Sequence, residues 1–396
     1  MSTTSSSRPG SAAPAGPASA TRVYLDAAAG APLHPVAREA LLAALADGWA
    51  DPARLYREGR QADLLLAAAR ESLAEQIGAR PDEVSFVSNG TVALHAAVLG
   101  ALSGQPGHPL LVHTAVEHSA VLHAAAHYVA AGGSAVSVPV REDARVEEHA
   151  FVSAATDAAA AVAVVQAANH EVGTCQPVTA IAQRLPGLPV VVDATQVISH
   201  GHAPSGWSVL TGDARMWGAP TLGVLAVRTG QRWRSPYPAD EREYRRIPGI
   251  PLVPVAVAAA ATLRAVADGR AERAARLFAL VDRIRATVPN TVPDVQILGD
   301  PVDRLPHIVT FSCLYADGEA LLTGLDRHGI SVSSGSSCTS STLAPSHVLV
   351  AMGALTSGNI RVSLHDGSTD ADVDHFLAVL PGVVAQVRAE LGAAGL

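Results

Sequence analysis

The segment DEVSFVSNGTVALHAAVLGAL, residues 82–102, changes its hydrophobic period near its middle. Val84 and Phe86 alternate with polar residues, which is typical of a strand, whereas the apolar residues after Gly90 recur at helical spacing. Small residues separate the two halves, as in a tight turn. The segment therefore predicts a strand, a turn and the start of a helix.

The same order of strand and helix recurs on both sides of this segment. Apolar strand candidates alternate with helix-like stretches, as in the βαβ units of a mostly parallel sheet with helices on its faces. The strand candidates are HPLLVHT (108–114), SAVSVPV (134–140), AVAVVQAA (161–168), PVVVDA (189–194) and GVLAVR (223–228). We therefore predict an α/β fold for the first domain. Upstream of these strands, Val36, Leu41, Leu42 and Leu45 predict an amphipathic helix.

The character of the sequence changes after Gly269. A long helix, strands in HIVTFSCLY (307–315) and GISVSSG (329–335), and a terminal helix after Thr369 predict a smaller α+β domain. The predicted organisation is a disordered tail over 1–21, a large domain over 33–268, and a small domain that combines 22–32 with 269–396 and carries the Cys338 loop.

The composition narrows the classes of function. Of the 396 residues, 48% are hydrophobic and 16% are charged, which excludes a disordered or fibrous chain for most of the length. The formal charge of -8 argues against a binder of nucleic acid or of anionic membranes. The sequence contains no lysine, so all 28 basic residues are arginines. No lysine side chain can therefore act as base, nucleophile or Schiff-base partner.

The three cysteines, Cys175, Cys313 and Cys338, are an odd number without CxxC spacing. This pattern argues against a disulfide framework and a zinc site, so we predict no metal. Residues 1–20 lack the apolar core of a signal peptide, and no apolar run is long enough to span a bilayer. We expect a soluble protein in the reducing cytoplasm.

Two predicted turns carry polar residues that are suited to a ligand. Gly90 and Thr91 open a helix, where amides and a hydroxyl can hold a phosphate. Asp193 and Gln196 follow an apolar strand, at the edge where α/β sheets place their ligands, and a carboxylate there can pair with a ring nitrogen. Each pair has the alternative interpretation of an ordinary helix cap.

Further candidates lie in VEHSAV, ANHEVG, NIRVSL and the polar stretch SVSSGSSCTSSTLAPSHVL. His118 and His170 follow apolar segments, although a single histidine is more often structural. Cys338 lies among Ser, Gly and Thr residues that cannot pack as a core, which favours a thiol accessible to partners over an incidental one. Arg361 is suited to binding a carboxylate, with a structural ion pair as the alternative. Cys313 is interpreted as a core residue.

Taken in order, these segments resemble the cysteine desulfurases of the class V aminotransferase family, which are fold type I enzymes that use pyridoxal phosphate. The likeness runs from VYLDAAAG to the C-terminal helix. Its most specific pieces are DPARLYREGRQA (51–62), VEHSAV (116–121), ANHEVGT (168–174), VDATQ (192–196), SSGSSCTSSTLAPSHVL (333–349) and NIRVSL (359–364). The resemblance implies a seven-stranded, mostly parallel sheet with helices on both faces, and a homodimer.

The resemblance also implies a role for each candidate residue. Gly90 and Thr91 would hold the cofactor phosphate, His118 would stack on the pyridine ring, and Asp193 and Gln196 would bind the ring nitrogen and the ring oxygen. Arg361 would bind the carboxylate of L-cysteine. Cys338 would take the sulfur of cysteine as a persulfide and pass it to an acceptor protein.

The chain departs from the family pattern within TGDARMWGAPTLGVLAVR, residues 211–228. Met216 stands where the family has its Schiff-base lysine, and Asp213 stands where the family has a phosphate-binding serine. Because a carboxylate repels a phosphate, Arg215 is interpreted as the cation between them. His170, Ile250 and Val92 replace an active-site asparagine, a threonine that reaches across the dimer, and a glutamate, in that order.

The leading interpretation is a cysteine desulfurase-like enzyme that transfers sulfur from L-cysteine to Cys338 with pyridoxal phosphate bound non-covalently. His118 or His170 would then have to move the protons that lysine normally moves. One alternative is a pseudoenzyme without lysine that relays persulfide or serves as a dimerisation scaffold. A further alternative is a pocket that has been adapted to another small anionic ligand.

Overall fold

The computed structural model describes residues 22–107, 110–238, 240–334 and 345–392. In these ranges the chain first alternates strands and helices around one large sheet and then builds smaller sheets against long helices. The prediction of an α/β fold with a mostly parallel sheet is confirmed. The predicted tail, residues 1–21, lies outside the described residues.

The large sheet has seven strands among the described residues. In spatial order these are β2 (Val84–Val87), β8 (Gly223–Val227), β7 (Val209–Asp213), β6 (Val190–Asp193), β5 (Val162–Val164), β3 (Leu110–Thr114) and β4 (Ser134–Val138). The β8 strand runs antiparallel to both of its neighbours, and the other neighbouring pairs are parallel. Strands β5, β6, β7 and β8 are buried along their whole length because helices cover both faces of the sheet.

The helices around this sheet are α1 (Pro35–Asp47), α2 (Arg57–Ile77), α3 (Gly90–Ser103), α4 (Ser119–Ala130), α5 (Glu148–Asp157), α6 (Val178–Arg184) and α7 (Val253–Ala267). Helices α3 and α4 pack on one face, and α2, α5, α6 and α7 contribute to the core on the other. Short 3-10 helices lie at Pro81–Glu83, Ala214–Trp217 and Glu243–Arg245.

The second part of the fold has its own hydrophobic core, formed by Val23, Leu25 and residues between 277 and 387. Its strands are β1 (Val23–Tyr24), β9 (Val295–Leu298), β10 (Ile308–Cys313), β11 (Ile330–Ser331) and β12 (Asn359–Ser363). Its helices are α8 (Arg270–Thr291), α9 (Gly318–Arg327), α10 (His347–Met352) and α11 (Asp370–Glu390). Strands β9, β10 and β12 form an antiparallel sheet, and β1 pairs with β11 in parallel. The exact domain boundaries stay a prediction.

Helix α1 forms where the sequence predicted it, but two of its large apolar side chains, Leu42 and Leu45, do not pack inward. Leu42 and Leu45 are 60% and 53% exposed, whereas the small residues Ala37 and Ala44 face the core. Trp49, just after the helix, is 68% exposed. This leaves an apolar surface on the outside of the single chain.

The topology brings several element ends together. Strands β6 and β7 are parallel neighbours, so Asp193 and Asp213 end at the same edge of the sheet. Helix α3 begins at that edge, where the Gly90 amide meets the Asp213 side chain. None of the helices in the described ranges has the length and apolar character needed to cross a membrane.

Candidate active site

A cavity of about 300 Å³ lies at this edge of the large sheet. It is lined by most of the described residues that the sequence singled out: Gly90, Thr91, His118, His170, Asp193, Gln196, Asp213, Arg215, Met216 and Arg361. Val92 and Ile250, which the sequence also singled out, are not among its lining residues. Ala28, Ala29, Leu94 and Ala168 supply apolar wall. Cys338, the predicted sulfur acceptor, lies outside the described residues. The roles of the lining residues remain predictions, but their convergence on one cavity is a structural observation.

Asp193 belongs to one group of lining residues, formed with His118, His170 and Gln196, which we call the ring end. Its side chain ends strand β6 and is only 8% exposed. Oδ1 accepts the backbone N–H of Thr195 at 3.0 Å. No hydrogen bond or ion pair to a basic side chain of the described residues satisfies the rest of the carboxylate. The carboxylate therefore keeps acceptor capacity toward the cavity.

His118 caps helix α4, and this cap fixes its tautomer. Its Nδ1 accepts the backbone N–H of Ala120 at 3.1 Å, so the neutral ring carries its proton on Nε2. Burial lowers the pKa of His118 below its usual 6.5, although the nearby Asp193 carboxylate acts in the opposite direction. The neutral ring can therefore donate a hydrogen bond from Nε2, whereas the lone pair on Nδ1 already accepts the Ala120 N–H.

His170 meets the ring of His118 edge-on, with ring centroids 5.0 Å apart. Burial holds the pKa of His170 well below its usual value, and the neighbouring His118 and Arg361 lower it further. Its backbone carbonyl accepts Nη1 of Arg361 at 3.0 Å. His170 therefore supplies a neutral imidazole to the cavity wall and a backbone anchor for Arg361.

Gln196 and Met216 lie side by side in the cavity wall. Gln196 Nε2 donates to the carbonyl of Ala28 at 3.0 Å and lies 3.4 Å from Met216 Sδ. Met216 is 7% exposed and sits in the 3-10 helix that follows β7. The side chain at this position is thus a neutral thioether, which has no proton to donate and no nucleophilic amine.

Asp213 and Arg215 belong to a second group of lining residues, formed with Gly90 and Thr91, which we call the phosphate end. Asp213 Oδ2 accepts the backbone N–H of Gly90, the first residue of α3, at 3.1 Å. Arg215 donates to both oxygens of Asp213, with Nε and Nη2 at 3.1–3.3 Å. The N-cap residue Asn89 accepts the N–H of Val92. Side chains of the protein therefore already satisfy amides of the first turn of α3.

Arg361 is held by an acidic residue that the sequence did not single out. Its Nη2 donates to Asp26 Oδ1 at 2.8 Å, and its Nε has no partner among the described residues. Arg361 is therefore ion-paired, as in the alternative interpretation given from the sequence. Arg361 also lines the cavity, so a carboxylate ligand would have to compete with Asp26.

Two buried acidic residues behind the histidines were also missed. Glu117 precedes His118 and Glu171 follows His170 in the sequence, and this adjacency within apolar segments was the available signal. Burial raises the pKa of Glu117 to about 8 and that of Glu171 to about 7. The hydrogen bonds that these carboxyl groups accept lower both pKa values, but by less than burial raises them. Glu117 Oε1 accepts from Thr114 Oγ1 at 2.7 Å and from the Gln166 amide at 3.0 Å. Ser346 Oγ donates to Glu171 at 2.6 Å.

The two described cysteines are not suited to nucleophilic chemistry. Cys313 lies in strand β10 and is fully buried, in agreement with its interpretation as a core residue. Burial raises the pKa of both Cys175 and Cys313 to about 11, so both thiols stay protonated at neutral pH. This leaves Cys338 as the candidate nucleophile.

Comparison with known proteins agrees with the resemblance seen in the sequence. The chain matches the aminotransferase class-V family model over residues 23–376. A cysteine desulfurase of Cereibacter sphaeroides is 34% identical over 388 residues, which cover 93% of this chain and 97% of that protein. An IscS-like cysteine desulfurase of Mycobacterium tuberculosis is 37% identical over 94% of this chain and 99% of that protein. The solved structure of a NifS-like protein has the same fold, with a TM-score of 0.85 at 24% identity, and covers 92% of this chain and 100% of that one. The chain therefore belongs to the class-V aminotransferase family, among the cysteine desulfurases.

Proposed function

We propose that this cysteine desulfurase-like chain is a sulfur-transfer protein that carries persulfide on Cys338 and does not use lysine-bound pyridoxal phosphate. The observation that carries the proposal is the hydrogen bond between the Gly90 amide and the Asp213 carboxylate. It places a negative charge of the protein at the helix terminus where the resemblance puts the cofactor phosphate. The sequence adds that no lysine is present to hold the cofactor covalently.

The residues present fit the ring of pyridoxal phosphate but not the cofactor as a whole. Asp193 and His118 offer a carboxylate and a flat ring at the ring end of the cavity. At the phosphate end, a phosphate would approach the Asp213 carboxylate, and two like charges 4 Å apart repel by about 4 kcal/mol at an effective dielectric constant near 20. Arg215 is already paired with Asp213, so it offsets this repulsion only in part.

The histidines do not replace the missing base. His118 has its Nδ1 lone pair engaged by the Ala120 amide, and its remaining ring nitrogen carries the proton. His170 is 7% exposed, and its Nδ1, which has no partner among the described residues, is buried. Neither ring presents a free lone pair of raised basicity, which supports a non-catalytic carrier over an enzyme that abstracts protons from cysteine.

The proposed transfer step is an exchange between sulfur atoms. The Cys338 thiolate attacks the outer sulfur of a donor persulfide, a new S–S bond forms on Cys338, and the S–S bond of the donor breaks. The donor leaves as a thiolate, so the step needs no oxidant and no cofactor. An acceptor thiolate then removes the outer sulfur by the same exchange, which suits a reducing compartment such as the cytoplasm.

A second candidate is the desulfurase reaction itself with non-covalently bound cofactor. It is favoured by the convergence of His118, Asp193 and Gln196 on one cavity, as the resemblance requires for the pyridine ring. The phosphate end argues against it. Formation of alanine from L-cysteine in the presence of pyridoxal phosphate would establish this candidate in place of the carrier.

We further propose a homodimer. The apolar surface of α1 and its surroundings is exposed in the single chain and has the character of an interface between subunits. Its large exposed side chains are Leu42, Leu45, Trp49, Leu55 and Leu64. A second copy that covers this surface would bury these side chains.

The proposal is tested with a persulfide donor and mass spectrometry. Glutathione persulfide with a radiolabelled outer sulfur is incubated with the purified protein, and the peptide that contains Cys338 is expected to gain one labelled sulfur atom. Cys338→Ala should abolish labelling, whereas the matched control Cys175→Ala should leave it unchanged because that thiol stays protonated. Labelling that persists in Cys338→Ala, or is absent from the unaltered protein, would contradict the proposal.

A further inference from the structure

We propose that the cavity binds a small organic ammonium ion, with the Asp193 carboxylate as its counter-charge. This inference rests on the proposed function in one respect, namely that pyridoxal phosphate does not fill the cavity. It concerns the ligand of the cavity and is independent of the sulfur chemistry at Cys338.

The charged side chains around the cavity determine the charge of the ligand that it can bind. Among the described residues, the Asp and Arg side chains in its lining are Asp193, Asp213, Arg215 and Arg361. Arg215 is paired with Asp213, and Arg361 is paired with Asp26 behind the wall. When these pairs are set aside, one negative charge remains, and it belongs to Asp193. The cavity is therefore suited to a cation, and a net anion such as a phosphate ester would meet repulsion.

Asp193 is buried without a basic partner. It is 8% exposed, and its hydrogen bond within the described residues comes from the Thr195 amide at 3.0 Å. A buried carboxylate is costly unless a cation or several donors compensate it. The segment 335–344, which lies outside the described residues, contains no Arg, Lys or His that could serve.

The neighbouring titratable groups do not supply the missing charge. His118 and His170 are neutral because burial lowers the pKa of both rings. In addition, His118 Nδ1 accepts the backbone N–H of Ala120 and therefore carries no proton. Glu117, whose pKa Asp193 helps to raise, holds its proton at neutral pH. The positive charge that Asp193 lacks is therefore expected from a ligand.

The remaining walls define the rest of the ligand. Ala28, Ala29, Leu94, Ala168 and Met216 give the cavity an apolar side, and about 300 Å³ is enough for a compact molecule. Arg361 keeps its Asp26 partner when the ligand has no carboxylate. The ammonium group, and not a carboxylate, is thus expected to determine affinity.

The test compares two probes of the same size and opposite charge by calorimetric titration at neutral pH. Propylammonium should bind saturably and propionate should not. Asp193→Asn should weaken propylammonium at least tenfold, whereas Asp157→Asn, which removes one charge from the exposed end of α5, should leave its affinity unchanged. Equal binding of the two probes, no binding of propylammonium, or an unchanged affinity in Asp193→Asn would overturn the inference.

A second variant keeps the inference testable if Asp193→Asn does not fold. Met216→Lys places an ammonium group of the protein in the same cavity wall, so propylammonium binding should be lost and the melting temperature should rise. Unchanged propylammonium affinity in this variant would also overturn the inference. Because Cys338 takes no part in these titrations, their failure would leave the persulfide assay unaffected, and failure of that assay would leave the titrations interpretable.

Discussion

The two ends of the cavity differ in whether their polar groups are already satisfied. At the ring end, Asp193 lines the cavity and has no basic partner among the described residues. At the phosphate end, the Gly90 amide, the Asp213 carboxylate and the Arg215 guanidinium bind one another. Both ends contain residues to which the family resemblance assigns a role in binding the cofactor, and both contain departures from the family pattern, His170 at the ring end and Asp213 at the phosphate end.

Residue identity alone does not define a binding site. Groups can recruit a ligand only when the protein has left them without partners, because each hydrogen bond made within the protein must be broken before a ligand can use it. At the ring end, the Asp193 carboxylate can still accept hydrogen bonds from a ligand. At the phosphate end, Gly90, Asp213 and Arg215 already bind one another. Substitutions at one end of the cavity can therefore be compared with the other, unaltered end.

The largest expected effect is the restoration of covalent cofactor binding by Met216→Lys combined with Asp213→Ser. The lysine supplies the amine that condenses with the cofactor aldehyde, and the serine removes the carboxylate from the first turn of α3. After incubation with pyridoxal phosphate and desalting, the double variant should remain yellow, whereas the unaltered protein should be colourless. Absorbance spectra before and after desalting check this.

The single variants sharpen the same comparison. Met216→Lys alone should be coloured only at high cofactor concentration, because the phosphate end still repels the phosphate. Asp213→Ser alone should bind the cofactor but lose it on desalting. Equal retention by Met216→Lys and by the double variant would show that Asp213 does not oppose the phosphate.

A second prediction concerns Glu117, behind the ring end. Burial raises its pKa from 4.5 to about 8, so between these values the folded protein holds a proton that the unfolded chain releases. The free energy of unfolding should therefore fall as the pH rises through this window, by up to about 1.4 kcal/mol per pH unit. Glu117→Gln, which does not titrate, should remove this contribution.

Urea denaturation at pH 5 and pH 8 measures this effect. The loss of stability from pH 5 to pH 8 should be smaller in Glu117→Gln than in the unaltered protein. The difference between the two proteins isolates Glu117 from Glu171 and the buried histidines, which titrate in both. An identical loss in both proteins would mean that Glu117 is ionised in the folded state.

The smallest expected effect tests the packing at the phosphate end. A Cβ atom on Gly90 would lie 2.7 Å from Asp213 Oδ2 and 2.8 Å from Asp213 Cβ. Gly90→Ala should therefore cost about 1–3 kcal/mol, as overpacking does elsewhere, and much less in an Asp213→Gly background. Denaturation of the four proteins of this cycle gives the coupling. Equal costs in both backgrounds would show that Asp213 does not pack on the first turn of α3.

Much of the fold follows from local patterns in the sequence. The change of period at Gly90 marks β2 and α3, and the apolar runs mark the buried strands of the large sheet. Helix α1 shows the limit of such patterns. The sequence identifies its apolar residues, but whether Leu42 and Leu45 face the core or the outside depends on how α1 packs against its neighbours.

The site was predictable as a set of residues but not as a set of contacts. Asp193, His118 and Arg361 were found by their positions, and they do meet in one cavity. The pairing of Arg361 with Asp26 joins residues 335 positions apart, which no local pattern reveals. From the sequence, Arg215 was interpreted as the cation beside Asp213. The sequence did not reveal that Asp213 Oδ2 accepts the Gly90 N–H at the start of α3.

The most direct test of the account is equilibrium binding of pyridoxal phosphate to the unaltered protein by calorimetry, with Asp193→Ala as control. The account predicts no saturable binding, because Asp213 already occupies the Gly90 amide and no lysine is present. Micromolar binding that disappears in Asp193→Ala would contradict the account and would make the protein a cofactor-dependent desulfurase.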